Sequence, residues 1–440
     1  MTNTGDFQSH YIPNTTNEQR EMLSYIGASS VDELFGDIPD KYRNPELKLP
    51  NPLSEIEIVK ELSDLANKNR TLTSGPSFLG AGSYHHFIPA AIKPLMTRGE
   101  FLTAYTPYQP EVSQGTLQVI YEFQSLISNL FGMEVANAGM YDGATSLAEG
   151  VLMASRVTKR NIVTISTTVS PKYLEVISTY CQAQGISIEM FNPETPQTNE
   201  NSACMVVQYP NYYGYIENIN NIKESAHASG SLLVVAADPT SLGMFKAPGE
   251  YDADIATGEG QPLGIPSSYG GPYLGLFTCK KEFIRQMPSR LVGKTVDKNG
   301  QSGYVLTLQT REQHIRRERA TSNICTNEAL YALASTIYLA LLGKTGLKKV
   351  AELCYQKAHY AANEINKLDN YSLPINTPFF KEFIISCPRS PSDINKILME
   401  NNILGGYDVS EHIDNGMLLC VTEMNTKEDI DQLVKSLSEV

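Results

Sequence analysis

Three places along this 440-residue chain carry side chains whose types and order suit chemistry. Gly143, Ala144, Thr145 and Ser146 open a predicted helix. A helix start presents unpaired backbone N–H groups, and with hydroxyls beside them it suits a phosphate. Asp238 directly follows the apolar run Ser231–Ala237. A carboxylate there can hold the protonated nitrogen of a heteroaromatic ring and keep that ring electron-withdrawing. The third place is Thr257–Gly275, TGEGQPLGIPSSYGGPYLG, a turn-rich stretch with Gln261 near its start. The first two also have plainer readings, in which residues 143–146 cap their own helix and Asp238 caps a turn.

Taken in order, the three describe a pocket for pyridoxal phosphate, and in enzymes of that build the third stretch carries the lysine that holds the cofactor. Here no lysine occurs between Lys246 and Lys280. Gln261 offers only an amide, whose delocalised lone pair makes no imine. Other motifs carry less. GKT occurs at Gly293–Thr295 and Gly343–Thr345, but Pro288 and Tyr338 stand where a phosphate-binding P-loop needs its first glycine. Gly80-Ala81-Gly82 does not extend to a dinucleotide fingerprint, and His85-His86 lacks the ligand spacing of a metal site, so no metal is expected.

The elements that must position these residues follow from periodicity. Thr15-x-x-Glu18, Ser30-x-x-Glu33 and Ser54-x-x-Glu57 have capping-box spacing and predict N-terminal helices. Four prolines between Pro39 and Pro52 predict an extended connector. Ser74–Gly115 is dense in Gly, Pro and Tyr, and an irregular stretch of that length is usually functional. A helix is expected over Thr116–Phe131. From Asp142 strands and helices alternate, with strands at 161–166, 185–191, 203–208, 231–237, 254–258 and 275–280, which implies a mainly parallel sheet with right-handed crossovers. The apolar run Leu330–Leu342 predicts a buried helix, and further strands are expected at 380–386 and 417–422.

Composition bounds the class. The chain is 41% hydrophobic and 19% charged, ordinary for a globular protein. A net charge of −13 argues against a nucleic-acid partner. The N-terminal residues are polar, without the apolar core of a signal peptide, and no apolar run reaches the roughly 20 residues of a membrane span, so no membrane partner is expected. Seven scattered cysteines without a CxxC pair suggest reduced thiols and a cytoplasmic location.

Longer stretches carry a resemblance. With YIPNTTNEQREMLSYIGASSVDELFGDIP (Tyr11–Pro39), FLGAGSYHHFIP, AYTPYQPEVSQGTLQ, VANAGMYDGATSLAEG, GQPLGIPSSYGGPYLG, HIRRERATSNICTN and CVTEMNTKEDID, the chain resembles the P-protein family of the glycine cleavage system, glycine dehydrogenase (decarboxylating). It is similar to the first, α, subunit of the form split into two. The resemblance implies an α/β fold of the pyridoxal-phosphate-dependent transferase class (aspartate aminotransferase-like, fold type I). Its expected parts are an N-terminal helical arm and connector over 1–75, a large domain with a seven-stranded, mainly parallel sheet over 76–325, and a small C-terminal α/β domain over 326–440.

In the family's cofactor-carrying copy the third stretch resembles HKTFxIPHGGGGPG. Aligning its frame on Pro266, Gly270, Gly271 and Pro272 puts Gln261 at the lysine and Gly260 at the histidine. The resemblance thus implies that pyridoxal phosphate in the complex sits on a β subunit, that Gly143, Ala144, Thr145, Ser146 and Asp238 are a vestigial pocket, and that no catalytic residue lies on this chain alone. The implied reaction binds glycine through that cofactor, releases CO₂ and passes the aminomethyl group to the lipoyl arm of the H-protein. The implied partners are the β subunit in an α₂β₂ assembly, the H-protein and the other glycine cleavage components. Two stretches are candidates to wall a tunnel for the arm at the subunit interface: Tyr105, Tyr108, Gln109, Glu111 and Gln114, and His314, Arg316, Arg317, Arg319 and Asn323. The alternatives are a self-sufficient pyridoxal phosphate enzyme using Lys246 or Lys280, and a non-catalytic scaffold of the same fold.

Overall fold

The computed structural model describes residues 14–43, 45–324 and 327–440, so Tyr11–Pro13 of the first quoted stretch, and Cys325 and Thr326 of another, lie outside the described residues. The chain forms two compact units, 1–70 and 71–440. In the first, Thr15 and Glu18 cap each other's ends of the helix Thr16–Ile26, which Gly27 closes at φ 78°. Ser54 and Glu57 do the same for Glu55–Ala66. Ser30, expected to start a third helix, caps only the five-residue 3₁₀ turn Val31–Phe35. Gly36 and Pro39 follow too closely for a longer helix to form. Neither α-helix of this unit buries a side chain.

The second unit is built on a seven-stranded sheet. Its strands are β1 Val135–Ala136, β2 Ile162–Ser166, β3 Ser187–Phe191, β4 Ser202–Tyr209, β5 Leu232–Ala237, β6 Ile255–Glu259 and β7 Gly275–Cys279, in the order β1-β7-β6-β5-β4-β2-β3. The pairs from β3 through β6 are parallel, and β7 runs antiparallel to both its neighbours. β5 shows why the run reads as continuously apolar. Leu233, Val235 and Ala237 enter the core on one face, and Val234 and Ala236 enter the core on the other. A strand covered on both faces has no polar side to alternate with. The helix Gln114–Phe131 supplies Phe123, Ile127 and Phe131 to the first core, and Gly143–Thr158 supplies Leu147, Val151 and Ala154 to the second.

A hairpin, β8 Leu291–Val296 and β9 Ser302–Thr307, was not expected from the sequence. Its turn is an Asp297-centred loop in which the carboxylate accepts from Asn299 N and Gln301 N at 2.8 Å each. The GKT at 293–295 is part of β8. The other GKT lies at a break in the helix Ala329–Ile365, where Gly343 takes φ 57°, ψ −173°. Among the described residues this helix alone is long and apolar enough to cross a membrane by length and composition. Its break and its buried face, including Ala332, Leu333, Tyr338 and Leu339, give it the build of a core helix.

The C-terminal part forms a three-stranded antiparallel sheet, β10 Glu382–Ser386, β12 Gly416–Cys420 and β11 Tyr407–Asp408, in the order β10-β12-β11. The helices Pro391–Glu400 and Lys427–Ser438 cover it, and the second starts at a Thr426/Asp429 capping box. All six described cysteines are buried and unpaired.

Two close approaches join this smaller lobe to the larger sheet. Gly214, at φ 90°, accepts from Phe380 N at 3.0 Å, and a Cβ there would lie 2.0 Å from Glu382 O. The Gly214→Ala variant therefore loses about 2–4 kcal/mol in urea unfolding, since neither backbone can give way. The segment before the first helix of the unit is held by Glu423, which accepts from His86 Nδ1 and Phe87 N, both at 2.7 Å. Burial alone raises this carboxyl, but the pairing with His86 and the Phe87 N–H outweigh it and hold it at about 2 against an ordinary 4.5. A depressed carboxylate stabilises above its unfolded value and loses that contribution as pH falls through its folded value. Unfolding free energies measured from pH 5 down to pH 2 are expected to fall by about 3 kcal/mol more in the wild type than in Glu423→Gln.

Candidate functional site

The ends of β5 and β6 meet the start of the helix Gly143–Thr158 around a cavity of about 490 Å³, lined among others by Tyr84, Asp142, Ala144, Tyr173, Asp238, Glu259 and Tyr273. Ligands of open α/β sheets sit outside the carboxyl ends of the strands in this way. The three sequence features converge here, but each is engaged by the protein itself.

At the helix start, Asp142 is the cap. Its Oδ1 accepts from Thr145 N at 2.7 Å and from the Thr145 hydroxyl at 2.9 Å. Gly143 N donates to Glu259 Oε2 at 2.9 Å, while Glu259 Oε1 accepts from Gln261 N at 2.9 Å and Leu274 N at 3.2 Å. Burial pushes the Glu259 carboxyl up to about 8, against the pull of those three N–H groups and with the Asp142 charge adding to the rise. Ser146 is fully buried and its hydroxyl has no hydrogen-bond partner.

Asp238 accepts from Thr240 N at 2.9 Å and the Thr240 hydroxyl at 2.6 Å, a turn cap. Its other oxygen lies 2.7 Å from Lys381 Nζ. Lys381 is 1% exposed, 3.2 Å from both Thr240 Oγ1 and His86 Nε2, and 3.6 Å from the centre of the Tyr84 ring. His86 thus stands between Lys381 at its Nε2 and Glu423 at its Nδ1, so Asp238, Lys381, His86 and Glu423 form one continuous chain of polar contacts. Burial raises the Asp238 carboxyl, but the Lys381 charge and its hydrogen bond hold it below the usual carboxylate range. His86, Cys354 and Glu423 each bring a ligand atom within 4.8 Å of the others, yet the Lys381 ammonium already stands on the far side of His86, a poor setting for a metal.

Gln261 is 1% exposed and fully bonded. Its Oε1 accepts from Tyr84 N at 2.9 Å, and its Nε2 donates to Tyr84 O at 2.9 Å and Ile265 O at 2.8 Å. Next to it a side chain at Gly260 would lie 2.9 Å from Leu274 O, so a histidine has no room. The residues present do not fit covalently held pyridoxal phosphate. There is no amine at 261, and the helix N-terminus and the Asp238 carboxylate are both engaged. Lys280 lies at the other end of the strands, beside the start of β6, paired with Asp252 at 2.8 Å and Asp254 at 2.6 Å, and Lys246 is exposed after the turn Ser241–Gly243.

The two candidate tunnel stretches meet at one point. The Tyr108 and His314 rings lie 5.2 Å apart, and Arg290 stands over Tyr108 with its carbon 5.5 Å from the ring centre and one nitrogen 3.3 Å from the hydroxyl. Glu312 lies 3.4 Å from Arg290 Nε and 3.5 Å from His314 Nδ1. Arg290 and Glu312 are 4% and 6% exposed, and Glu312 Oε1 has no hydrogen-bond partner. Tyr105 lines a cavity of about 500 Å³ with Arg290. The others do not converge there. Gln109 precedes the exposed turn holding Glu111, and Gln114 braces β9 through Tyr304 N and O. Arg316 donates to Thr310 O at 3.0 Å, and Arg319 lies 3.8 Å from Glu318. Arg317 and Asn323 line a separate cavity with Glu149 and Arg156.

Sequence reasoning missed Glu259, Lys381, Arg290 and Glu312. Glu259 was in view within the quoted turn. Lys381-Glu382 at the head of an apolar strand was the signal for a buried charge. Glu312 precedes the HIRRER stretch by two positions. Nothing in the local sequence singles out Arg290.

Known proteins place the chain. It matches the family described as "Glycine cleavage system P-protein" over residues 9–437. A relative from Thermomicrobium roseum named "Probable glycine dehydrogenase (decarboxylating) subunit 1" is 52% identical, over 98% of this chain and 99% of its own. One of the same name from Desulfitobacterium hafniense is 51% identical over 98% and 100%. A crystal structure of glycine decarboxylase (P-protein) of the glycine cleavage system, in inhibitor-bound form, superposes with a TM-score of 0.92 at 44% identity, covering 98% of this chain and 100% of the other. A sphingosine-1-phosphate lyase from Burkholderia pseudomallei shares the fold alone, with a TM-score of 0.65 at 14% identity, over 91% and 93%. The architecture is the type I fold of pyridoxal-phosphate-dependent enzymes, and the chain belongs to the glycine cleavage system P-protein family.

Proposed function

We propose that this chain is the cofactor-free α subunit of a two-subunit glycine decarboxylase and acts by completing the active site of a β subunit. The observation that carries the reading is Gln261, an amide locked by three hydrogen bonds where the chemistry needs a free amine. In the assembled α₂β₂ enzyme the cofactor on β supplies the electron sink for loss of CO₂ from glycine. The aminomethyl group then goes to the lipoyl arm of the H-protein, and the other glycine cleavage components act on what it carries away. The buried thiols fit a reducing cytoplasm.

This chain's share is a wall. The Tyr108–Arg290–Glu312–His314 cluster combines aromatic faces with buried charge, and Arg290 lines the adjoining cavity with Tyr105. Tyr105, Gln109, Glu111, Gln114, Arg316, Arg317, Arg319 and Asn323 are interface residues in this reading, because loop side chains carried on a rigid sheet are the usual contacts. The chain alone is expected to exchange no labelled CO₂ with glycine, while a mixture with its β partner does. Arg290→Ala, which leaves the buried Glu312 with only His314 beside it, is expected to lower the exchange of the mixture by ten-fold or more. Full exchange by the isolated chain, or equal exchange by β alone and by the mixture, overturns the proposal.

A further inference from the structure

The missing lysine is only one of three replacements in the pocket. A phosphate-bearing pyridine aldehyde would be held at three points: its phosphate by the helix start, its ring nitrogen by a carboxylate and its aldehyde carbon by an amine. At the first point this chain places the Glu259 carboxyl, bonded to Gly143 N. A Cβ at Gly143 would lie 2.4 Å from Tyr173 Oη and 2.9 Å from Glu259 Cβ, so the space beside that turn is taken. At the second point stands the Lys381 ammonium, 2.7 Å from Asp238. At the third is the Gln261 amide.

All of them except Glu259 hold one residue, Tyr84. Gln261 pairs with its backbone N–H and C=O, Lys381 lies against its ring, and Glu382 accepts from its hydroxyl at 2.8 Å. Glu382 also accepts from Ala81 N at 2.7 Å, which fixes the start of the same loop. Tyr84 lines the cavity at about 490 Å³ beside Asp142, Asp238 and Glu259. The Glu259 side chain already takes the Gly143 N–H that a phosphate would use there.

We propose that Glu259, Lys381 and Gln261 together form an internal plug that takes over the cofactor's anchoring points, and that this plug, rather than the absent lysine alone, excludes phosphate-bearing ligands from the pocket. The plug also ties the loop at 80–84 and the head of β10 to the end of β5, work that a bound cofactor would otherwise do. It is independent of which subunit performs the chemistry, because it is read by binding to the isolated full chain and not by turnover.

The test uses the purified full chain with pyridoxal phosphate and, separately, with inorganic phosphate. The wild type and Gln261→Lys are both expected to show no borohydride-reducible absorbance and no thermal shift. The triple variant Gln261→Lys, Glu259→Gly, Lys381→Met is expected to gain a reducible band and at least ten-fold tighter binding of pyridoxal phosphate than Gln261→Lys. Because removal of Lys381 leaves Asp238 buried and unpaired, Glu259→Gly alone is the second variant, and it is expected to gain a thermal shift with inorganic phosphate through the freed Gly143 N–H. A reducible band in Gln261→Lys as strong as in the triple variant overturns the proposal. So does a folded triple variant that binds no better, or Glu259→Gly with no gain for phosphate.

Discussion

The ion pair between Asp238 and Lys381 is the constraint around which the larger unit is arranged. One partner stands at the end of a central strand of the large sheet and the other at the head of the first strand of the smaller lobe. Each is costly to bury alone, and the pair is tolerable because further hydrogen bonds from Thr240 and to His86 use the remaining capacity. Losing one partner strands a charge in the interior, so the pair determines how the lobes meet even where it adds little net stability. The loop that carries Tyr84 and His86 passes directly over it, and its path is dictated by the ammonium beneath.

This arrangement inverts the usual relation between a pocket and its ligand. In an open α/β sheet the strand ends and helix start are left unsatisfied for a ligand to complete. Here the same backbone groups are satisfied by side chains from neighbouring turns. The surface proposed to face a partner lies elsewhere, where Tyr108, Arg290 and the Glu312/His314 pair come together from three distant parts of the sequence. Those groups are held by the hairpin and its flanks rather than by the strand ends.

Much of the scaffold was legible in the sequence because it is written in local periodicity. The buried runs that became β4 and β5, the capped helices at Thr15 and Ser54, and the change from helix to strand at Ser231 all follow from residue type and spacing. The hairpin was not, because its strands are half exposed and carry no run of alternating apolar residues long enough to mark them. Ser30 shows the limit of a cap signal, since a cap can start a helix that the following Gly and Pro do not allow to continue. At the site, the loss of the lysine could be read by counting along a motif. Its replacements could not, because Glu259 meets Gly143 across 116 residues and Lys381 meets Asp238 only after the chain has folded back on itself. Pairings of that kind leave no trace in spacing.

The burial of every described cysteine has a consequence for the neighbourhood in which such a subunit works. Burial raises the Cys181 thiol to about 11 and the Cys279 and Cys387 thiols to about 12, and pushes Cys204, Cys354 and Cys420 higher still. Disulfide exchange proceeds through the thiolate and needs access, so these sulfurs are withdrawn from it on both counts. A disulfide carried by any partner of this surface would therefore meet no competing thiolate among these six sulfurs, and would stay closed against them.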